Sequence, residues 1–171
     1  MEWPDIVAQI DTGTGGRYHT GNLATDPDTF DAVVTDLAAP FSAESVDAVA
    51  GIDALGFLFG AAVARELGVG FCPIRKGGKL PIASKNRLTE TVVDYTGTEK
   101  TLELDRTSVS NGARVLVVDD WTETGSQLAA AVALVSAAGG NVVGIAVLGA
   151  DERETVLQLD EDYGVHALHW E

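Results

Sequence analysis

The sequence predicts an α/β domain in which a mostly parallel β-sheet is flanked by helices. Runs of aliphatic and β-branched residues alternate along the chain with Ala- and Leu-rich amphipathic runs, a pattern typical of parallel α/β architecture. The apolar run over residues 115–118 has no polar interruption, as expected of a strand buried on both faces of a sheet. The length of 171 residues and the apolar content of 46% fit a single domain over residues 1–171 with a core on each face.

The predicted elements alternate in the same way from the N-terminus onwards. Amphipathic or Ala-rich runs predict helices over residues 30–37, 56–66, 127–138 and 153–160. β-Rich runs predict strands over residues 48–52, 69–75, 114–119, 142–148 and 165–170, the last at the sheet edge. The polar segment from residue 76 to 92 shows no clear period. Because long loops in compact domains are usually functional lids or disordered, we predict a loop of this kind over about residues 76–95.

The composition argues against several classes of function. The net charge is −15, from 26 acidic and 11 basic residues, and the scattered acidic residues disfavour binding to nucleic acid or to an anionic membrane. No run approaches the roughly 20 apolar residues of a membrane span, and residues 1–5 lack the basic start of a secretory signal. We therefore expect a cytoplasmic protein, with the lone Cys72 packed in a strand. A salt-loving source is a further hypothesis, because such proteins tolerate strong negative charge.

The most informative segment is the run from Arg114 to Ser126. Its apolar strand ends at Asp119 and Asp120, and a Thr/Gly/Ser loop then leads into an Ala-rich helix. Hydroxyls and backbone N–H groups of residues 122–126, with the positive end of the helix, suit a phosphate monoester. The two carboxylates would repel phosphate, so their natural partners are sugar hydroxyls or a divalent cation. We interpret the segment as a ribose 5-phosphate site; the alternative is an ordinary strand–helix turn capped by the aspartates.

Two further loops should flank this site, because loops that follow parallel strands meet at the carboxyl edge of the sheet. Residues 51–56 lead from a strand into a helix. The second loop, residues 75–79, contains Arg75, Lys76 and Lys79, and this density of cations in so acidic a chain indicates contact with a polyanion. The glycines between them would let the backbone approach phosphate oxygens closely. An ordinary solvated basic loop is the alternative.

Together these segments resemble the type I phosphoribosyltransferases. The strand with two acidic residues followed by the loop 122–126 is similar to the family's diphosphoribosyl-binding motif. Residues 51–60 and 73–81 resemble the pyrophosphate-loop segments of adenine phosphoribosyltransferases, and Asp94-Tyr95 resembles the Glu-Tyr of their flexible hood loop. The resemblance runs from about residue 26 to the C-terminus. It implies the type I phosphoribosyltransferase fold.

The resemblance also implies a purine salvage enzyme that works as a homodimer. Such enzymes transfer 5-phosphoribose from phosphoribosyl pyrophosphate to a purine base in the presence of Mg²⁺, giving the nucleoside monophosphate and pyrophosphate. The implied site has 5-phosphate contacts from Thr122, Glu123, Thr124, Gly125 and Ser126, catalytic ribose and Mg²⁺ contacts from Asp119 and Asp120, and pyrophosphate contacts from Asp53, Ala54, Leu55, Arg75, Lys76 and Lys79. A cis peptide bond between Asp53 and Ala54 is also implied.

Departures from adenine enzymes leave the base open, as adenine or hypoxanthine/guanine. Leu55 stands where those enzymes usually have Arg, and Asp94 stands where they have Glu. Glu123 matches an Asp that faces purine N7 in hypoxanthine-guanine enzymes. Glu123 and Asp94 are therefore the two candidates for taking up or releasing the proton of the base. Glu123 is preferred because it is fixed within the loop of residues 122–126. Trp121, whose large ring can stack on a purine, and Arg17 in the N-terminal segment are candidate contacts to the base.

Two alternatives to this function stay open at the level of sequence. A non-catalytic regulatory protein could keep a site for phosphoribosyl pyrophosphate or nucleotide, and the uncharged Leu55 favours it, whereas the acidic composition does not. A pyrimidine or orotate enzyme is the other alternative. Residues 79–81 and 94–95 resemble purine enzymes and argue against it.

Overall fold

A seven-stranded mixed β-sheet forms the centre of the protein. The computed structural model describes residues 6, 10–12, 18–43, 45–93 and 98–171. A separate antiparallel pair, β1 (Asp11–Thr12) and β2 (Tyr18–His19), precedes the sheet. The sheet consists of β3 (Ala48–Ile52), β4 (Gly70–Lys76), β5 (Arg87–Val93), β6 (Glu99–Asp105), β7 (Arg114–Thr122), β8 (Asn141–Ala150) and β9 (Val165–Trp170). The strand order is β5-β6-β4-β3-β7-β8-β9, parallel from β4 to β9 and antiparallel through β5 and β6.

Four helices flank the sheet in the described part of the chain, and the last three of them connect parallel strands. They are α1 (Pro27–Ala38), α2 (Leu55–Leu67), α3 (Ser126–Ala137) and α4 (Glu154–Tyr163). Helix α1 begins with Pro27 and is capped by Asp26, whose carboxylate accepts the N–H of Thr29 at 2.9 Å. Helix α2 ends at Leu67 and is capped by Gly68, which has a φ of 72°. None of the helices in the described part of the chain is long and apolar enough to span a membrane.

The sheet separates two hydrophobic layers, and β7 contributes to both. Helices α1 and α2 cover one face, and α3 and α4 cover the other. Val115 and Val117 of β7 belong to the layer with α3 and α4, whereas Leu116 and Val118 belong to the layer with α1 and α2. All four side chains are fully buried. The absence of a polar residue from the run 115–118 follows from this two-sided burial.

The predicted mixed α/β fold with a mostly parallel sheet is confirmed, with shifts in the ends of elements. Each predicted helix and strand has a counterpart, and β9 occupies the predicted edge position. The strand predicted over residues 114–119 is longer than expected and ends at Thr122, because β8 pairs with it as far as Ala150. Asp119 and Asp120 therefore lie within the strand rather than at its end. Cys72 is buried in β4, as predicted.

The antiparallel hairpin formed by β5 and β6 is absent from the sequence prediction. Part of the segment 76–95, expected to be a loop, is the strand Arg87–Val93. Leu88 and Leu104 of this hairpin pack in the layer beneath α3, while the alternate residues are polar. An antiparallel strand with one solvated face carries a sparser apolar signal than a buried parallel strand. The flexibility of the hood loop stays a prediction.

Three loops meet at one edge of the sheet because β3, β4 and β7 run parallel. These strands end at Ile52, Lys76 and Thr122. Helix α2 begins close to the same edge, where Gly56 packs against the end of β7. A Cβ atom on Gly56 would lie 2.8 Å from Oδ1 of Asp119, so only glycine fits without displacing that carboxylate.

Candidate functional site

The loop after β7 presents hydroxyl groups and backbone N–H groups at the start of α3. Gly125 precedes the helix with a φ of 76°, a conformation that glycine adopts without steric cost. The Oγ atoms of Thr124 and Ser126 lie 2.9 Å apart, and the Ser126 hydroxyl donates to the carbonyl of Val93 at 3.2 Å. The first N–H groups of a helix are unpaired donors and carry its positive dipole end. This loop is therefore suited to a phosphate dianion.

Two adjacent carboxylates lie beside this loop of residues 122–126, called the phosphate loop below. Asp119 is only 7% exposed, and its Oδ1 accepts the backbone N–H of Asp120 at 3.0 Å. The Thr20 hydroxyl donates to Oδ2 of Asp120 at 2.7 Å. Burial, followed by the negative charge of Asp120, raises the pKa of Asp119 well above its usual range, while Lys76 opposes the shift. A sugar hydroxyl or a cation bound here would relieve the unfavourable burial of this carboxylate.

The donor set at these two residues fits a hard divalent cation only in part. Among the residues that the structure describes, no group of three or more His, Cys, Asp or Glu side chains could hold a metal ion. Asp119 and Asp120 supply carboxylate oxygens, the ligands that Mg²⁺ prefers. Mg²⁺ commonly uses one or two carboxylates and takes its other ligands from water and substrate phosphates. The pair therefore fits a metal that arrives with its substrate.

An aromatic pair covers one side of the site. The rings of Trp121 and Tyr18 stack with centroids 3.9 Å apart and planes inclined by 25°. Nε1 of Trp121 donates to Oδ1 of Asp151 at 3.0 Å, and the Tyr18 hydroxyl donates to the Glu171 carboxylate. A Cβ atom on Gly149, opposite Trp121 in β8, would lie 2.3 Å from the indole ring, so this glycine leaves the space that the ring fills. The ring of Trp121 is thus held in a fixed orientation.

These groups line one open cleft with a volume of about 260 Å³. The cleft brings together many of the residues predicted from sequence. They are Lys76, Asp119, Asp120, Trp121, Thr122, Glu123, Thr124, Gly125 and Ser126. Tyr18, Lys100 and Gln127 also line it and were not predicted. Lys100 belongs to the unpredicted strand β6, and Tyr18 lies in the N-terminal segment, where the sequence gives no periodic signal.

The remaining predicted cations lie together on a neighbouring surface. Asp53 accepts contacts from Nε of Arg75 at 3.3 Å and Nζ of Lys79 at 3.5 Å. Partial burial acts to raise the pKa of Asp53, but the positive charge of Lys79, the N–H of Lys76 and the Arg75 guanidinium together lower it below its usual value. Of the three cations, Lys76 is the one that lines the cleft.

The predicted cis peptide bond between Asp53 and Ala54 is present. Leu55 follows it as the first residue of α2 and is half-buried, with no charge to offer an anion. Arg17 and Asp94, and the neighbouring Tyr95, lie outside the described residues. Their predicted roles stay predictions.

Comparison with known proteins identifies the family. Residues 23–170 match the phosphoribosyl transferase domain. An adenine phosphoribosyltransferase of Xanthomonas oryzae pv. oryzae (strain PXO99A) is 43% identical over 144 residues, which cover 84% of this chain and 75% of the relative. The crystal structure of adenine phosphoribosyltransferase from Rhodothermus marinus DSM 4252 matches with a TM-score of 0.89 and 28% identity, covering 99% of this chain and 98% of that chain. The crystal structure of APRTase from Giardia lamblia complexed with 9-deazaadenine matches with a TM-score of 0.86 and 28% identity, covering 100% of this chain and 98% of that chain.

The matched range, residues 23–170, spans the β7 motif, the turn at Asp53 and Ala54 and the cationic loop of residues 75–79. This chain therefore belongs to the phosphoribosyltransferase family, as a type I member of the adenine phosphoribosyltransferase kind.

Proposed function

We propose that this protein transfers 5-phosphoribose from phosphoribosyl pyrophosphate to adenine, giving adenosine monophosphate and pyrophosphate as a purine salvage reaction. The observation that carries the proposal is the cleft in which the phosphate loop, the Asp119–Asp120 pair and two lysines face one another. The choice of adenine rests on the relatives, which are named as adenine phosphoribosyltransferases. The regulatory alternative finds no support among these relatives.

The sugar-phosphate half of the substrate would bind at the end of β7. The hydroxyls and N–H groups of residues 122–126 would hold the 5-phosphate at the positive end of α3. Asp119 and Asp120 would accept the ribose hydroxyls and hold Mg²⁺ jointly with the substrate. The metal would supply neutralisation of the negative charge on the leaving group. The negative field of the two aspartates would also favour positive charge developing on the sugar as the bond to pyrophosphate breaks.

The pyrophosphate would occupy the side of the cleft nearer β4. Lys76 and Lys100 line that side, and the turn Asp53–Ala54–Leu55 with Arg75 and Lys79 lies next to it. Lys100 supplies positive charge in a site where Leu55 offers none. Arg75 and Lys79 share the single carboxylate of Asp53, which leaves one net positive charge, so they would contact pyrophosphate while Asp53 holds them in place.

The base would bind beside Trp121, with Tyr18 and Arg17 completing its pocket. The indole ring is fixed by Asp151 and stacked on Tyr18, so the base would stack on this aromatic pair at the edge of the cleft. Stacking on such a surface is compatible with any purine. The N–H and carbonyl groups that would select adenine are expected from the N-terminal segment.

A carboxylate near N7 would take up or release the purine proton. Of the two candidates, Glu123 lines the cleft, and Asp94 lies outside the described residues. We predict that Glu123→Gln lowers kcat by about 100-fold or more, the usual size of a general acid–base contribution, whereas Asp94→Asn changes it only slightly. Steady-state kinetics with adenine and phosphoribosyl pyrophosphate would measure both. Equal, slight losses in the two variants would contradict this assignment.

The function is tested by a nucleobase panel with phosphoribosyl pyrophosphate and Mg²⁺, at low and high salt, with detection of monophosphate. We expect product from adenine and little from hypoxanthine, guanine or orotate. Product from another base alone would overturn the choice of adenine. If no base gives product while nucleotide binds measurably by calorimetry, the protein is a regulatory binder instead.

We further infer a homodimer that works in the cytoplasm. The dimer rests on the family resemblance, and the buried free thiol of Cys72 suits a reducing compartment. Light scattering would report the mass of the particle in solution. A monomer across the working range of concentration would contradict the dimer.

A further inference from the structure

A buried carboxylate lies beneath the cationic loop and takes no part in the site described above. Glu103 of β6 is 5% exposed, which is unusual for a glutamate. Its Oε2 accepts the backbone N–H of Leu80 at 3.3 Å, and the nearby N–H groups of Gly78 and Lys79 help to lower the pKa of its carboxylate. One side chain therefore faces three consecutive N–H groups of the loop and forms a hydrogen bond with that of Leu80.

Arg87 of β5 completes the arrangement from the neighbouring strand. Its Nε lies 3.7 Å from Oε1 of Glu103. A terminal nitrogen of the same guanidinium donates to the carbonyl of Leu80 at 2.7 Å and to that of Ile82 at 3.3 Å. The two charged side chains thus bind the N–H groups and the carbonyl groups of the segment 78–82, which has no regular partner strand.

The electrostatics keep Glu103 ionised in spite of its burial. Burial acts to raise the pKa of Glu103, but the N–H groups of Gly78, Leu80 and Lys79 and the Arg87 guanidinium together lower it. A buried ion pair is weak as a source of stability, because desolvation of both charges offsets their attraction. The contribution of this pair is therefore better sought in the conformation that it imposes on the loop.

That conformation determines where Lys79 lies. The N–H of Gly77 donates to the carbonyl of Thr101 at 2.6 Å, which fixes the start of the loop on β6. Glu103 and Arg87 fix its far side, so Lys79 between these anchors is held with its Nζ 3.5 Å from the carboxylate of Asp53. Without the pair, the chain beyond Gly77 would lose its far anchor, and Lys79 would lose its fixed position.

We propose that Glu103, paired with Arg87, is a positioning residue that preorganises the cationic loop for the pyrophosphate end of the substrate. The proposal rests on the proposed function, since it assigns a substrate end to this loop. The pair does not touch substrate. It lowers the cost of binding because the loop is already ordered before the polyanion arrives.

The test is Glu103→Gln, which keeps the shape and one acceptor oxygen but removes the charge. We expect KM for phosphoribosyl pyrophosphate and the Kd for inorganic pyrophosphate to rise about tenfold, the size of one lost charge-assisted contact. KM for adenine should stay within about twofold, well below the size of one such contact. Amide hydrogen exchange at Gly78, Lys79 and Leu80 should accelerate. Glu99→Gln, on the same face of the same strand but exposed, is the matched control and should change none of these.

Two outcomes would overturn the proposal. One is an unchanged Kd for pyrophosphate in folded Glu103→Gln; the other is an equal loss for both substrates without faster exchange in the loop. If Glu103→Gln does not fold, Arg87→Lys keeps the charge but loses the guanidinium group, whose terminal nitrogen donates to both carbonyls, and it should raise the same Kd. Pyrophosphate binding and exchange need no turnover. A wild-type protein without product would therefore contradict the proposed function and still leave this proposal open to its own test.

Discussion

Trp121 places a large aromatic ring where a small apolar side chain could contact the base. Its ring is fixed by Asp151 and covered on one side by Tyr18, so one purine could stack on the pair or insert between the two rings. Base–aromatic stacking is worth about 1–3 kcal/mol. Trp121→Ala should therefore raise KM for adenine about tenfold and leave KM for phosphoribosyl pyrophosphate nearly unchanged. Trp121→Phe keeps a stacking face and serves as the control; an equal rise in both KM values would show that the ring supports the loop instead.

The ionisation of the Tyr18 phenol reports on the aromatic pair. Its hydrogen bond to Glu171, with smaller contributions from burial and the nearby acidic charges, raises its pKa from 10.0 to about 12. The bond needs the neutral phenol, so its stabilisation is complete below pH 10.0 and is lost as the pH rises through about 12. Ultraviolet difference absorbance should show that this phenol ionises at a higher pH than an ordinary tyrosine. Glu171→Gln should move the transition to lower pH, and an unchanged transition in that variant would contradict the contact.

At the scale of elements, the closeness of α2 to β7 depends on glycine. A Cβ atom on Gly56 would lie 2.8 Å from Asp119 Oδ1 and 3.0 Å from the carbonyl of Val118. We predict that Gly56→Ala destabilises the protein by about 1–3 kcal/mol through overpacking. The loss of kcat/KM should be larger than the unfolded fraction of the variant accounts for, since Asp119 must move. Gly70→Ala, where nothing lies within 4 Å of the added carbon, is the control. Denaturant unfolding and kcat/KM measure the two effects, and a variant with wild-type activity would refute the link to Asp119.

An element can be predicted from the sequence when the interactions that form it leave a pattern in neighbouring residues. The strand β7 is predictable because two-sided burial selects an apolar residue at every position of 115–118. The phosphate loop is predictable because its chemistry is contiguous in the chain. The hairpin β5–β6 is not, since its apolar residues alternate with polar ones and its pairing is antiparallel. The contact of Glu103 with the loop at Leu80 joins distant parts of the chain, so no local pattern announces it.

The same limit applies to the charges of the site. The density of cations in residues 75–79 predicts a polyanion contact, but the sequence does not tell which of them face the cleft. In the structure Arg75 and Lys79 pair with Asp53, while Lys76 joins Lys100 from another strand. Side chains of successive strand residues point to opposite faces, and it is the register between strands that brings distant cations together.

At the scale of the whole molecule, the net charge of −15 opposes both compaction and the approach of a polyanionic substrate. Helix α4 adds a local conflict: it has no basic residue in its last turn, where Glu161 faces the negative end of the helix dipole. Salt screens both effects, with a Debye length of about 10 Å at 0.1 M falling to about 3 Å at 1 M. The folded state should therefore gain stability as monovalent salt increases.

We predict that the thermal unfolding midpoint rises steadily with KCl, and that Glu161→Lys raises it at low salt by the equivalent of about 0.5–1 kcal/mol. The variant reverses one charge at an exposed position and favours the helix dipole, so its advantage should fade as KCl screens the interaction. Glu161→Gln should lie between the two proteins. Calorimetry of all three across the salt range measures the convergence. A midpoint independent of KCl would show that self-repulsion does not limit the stability of this acidic protein.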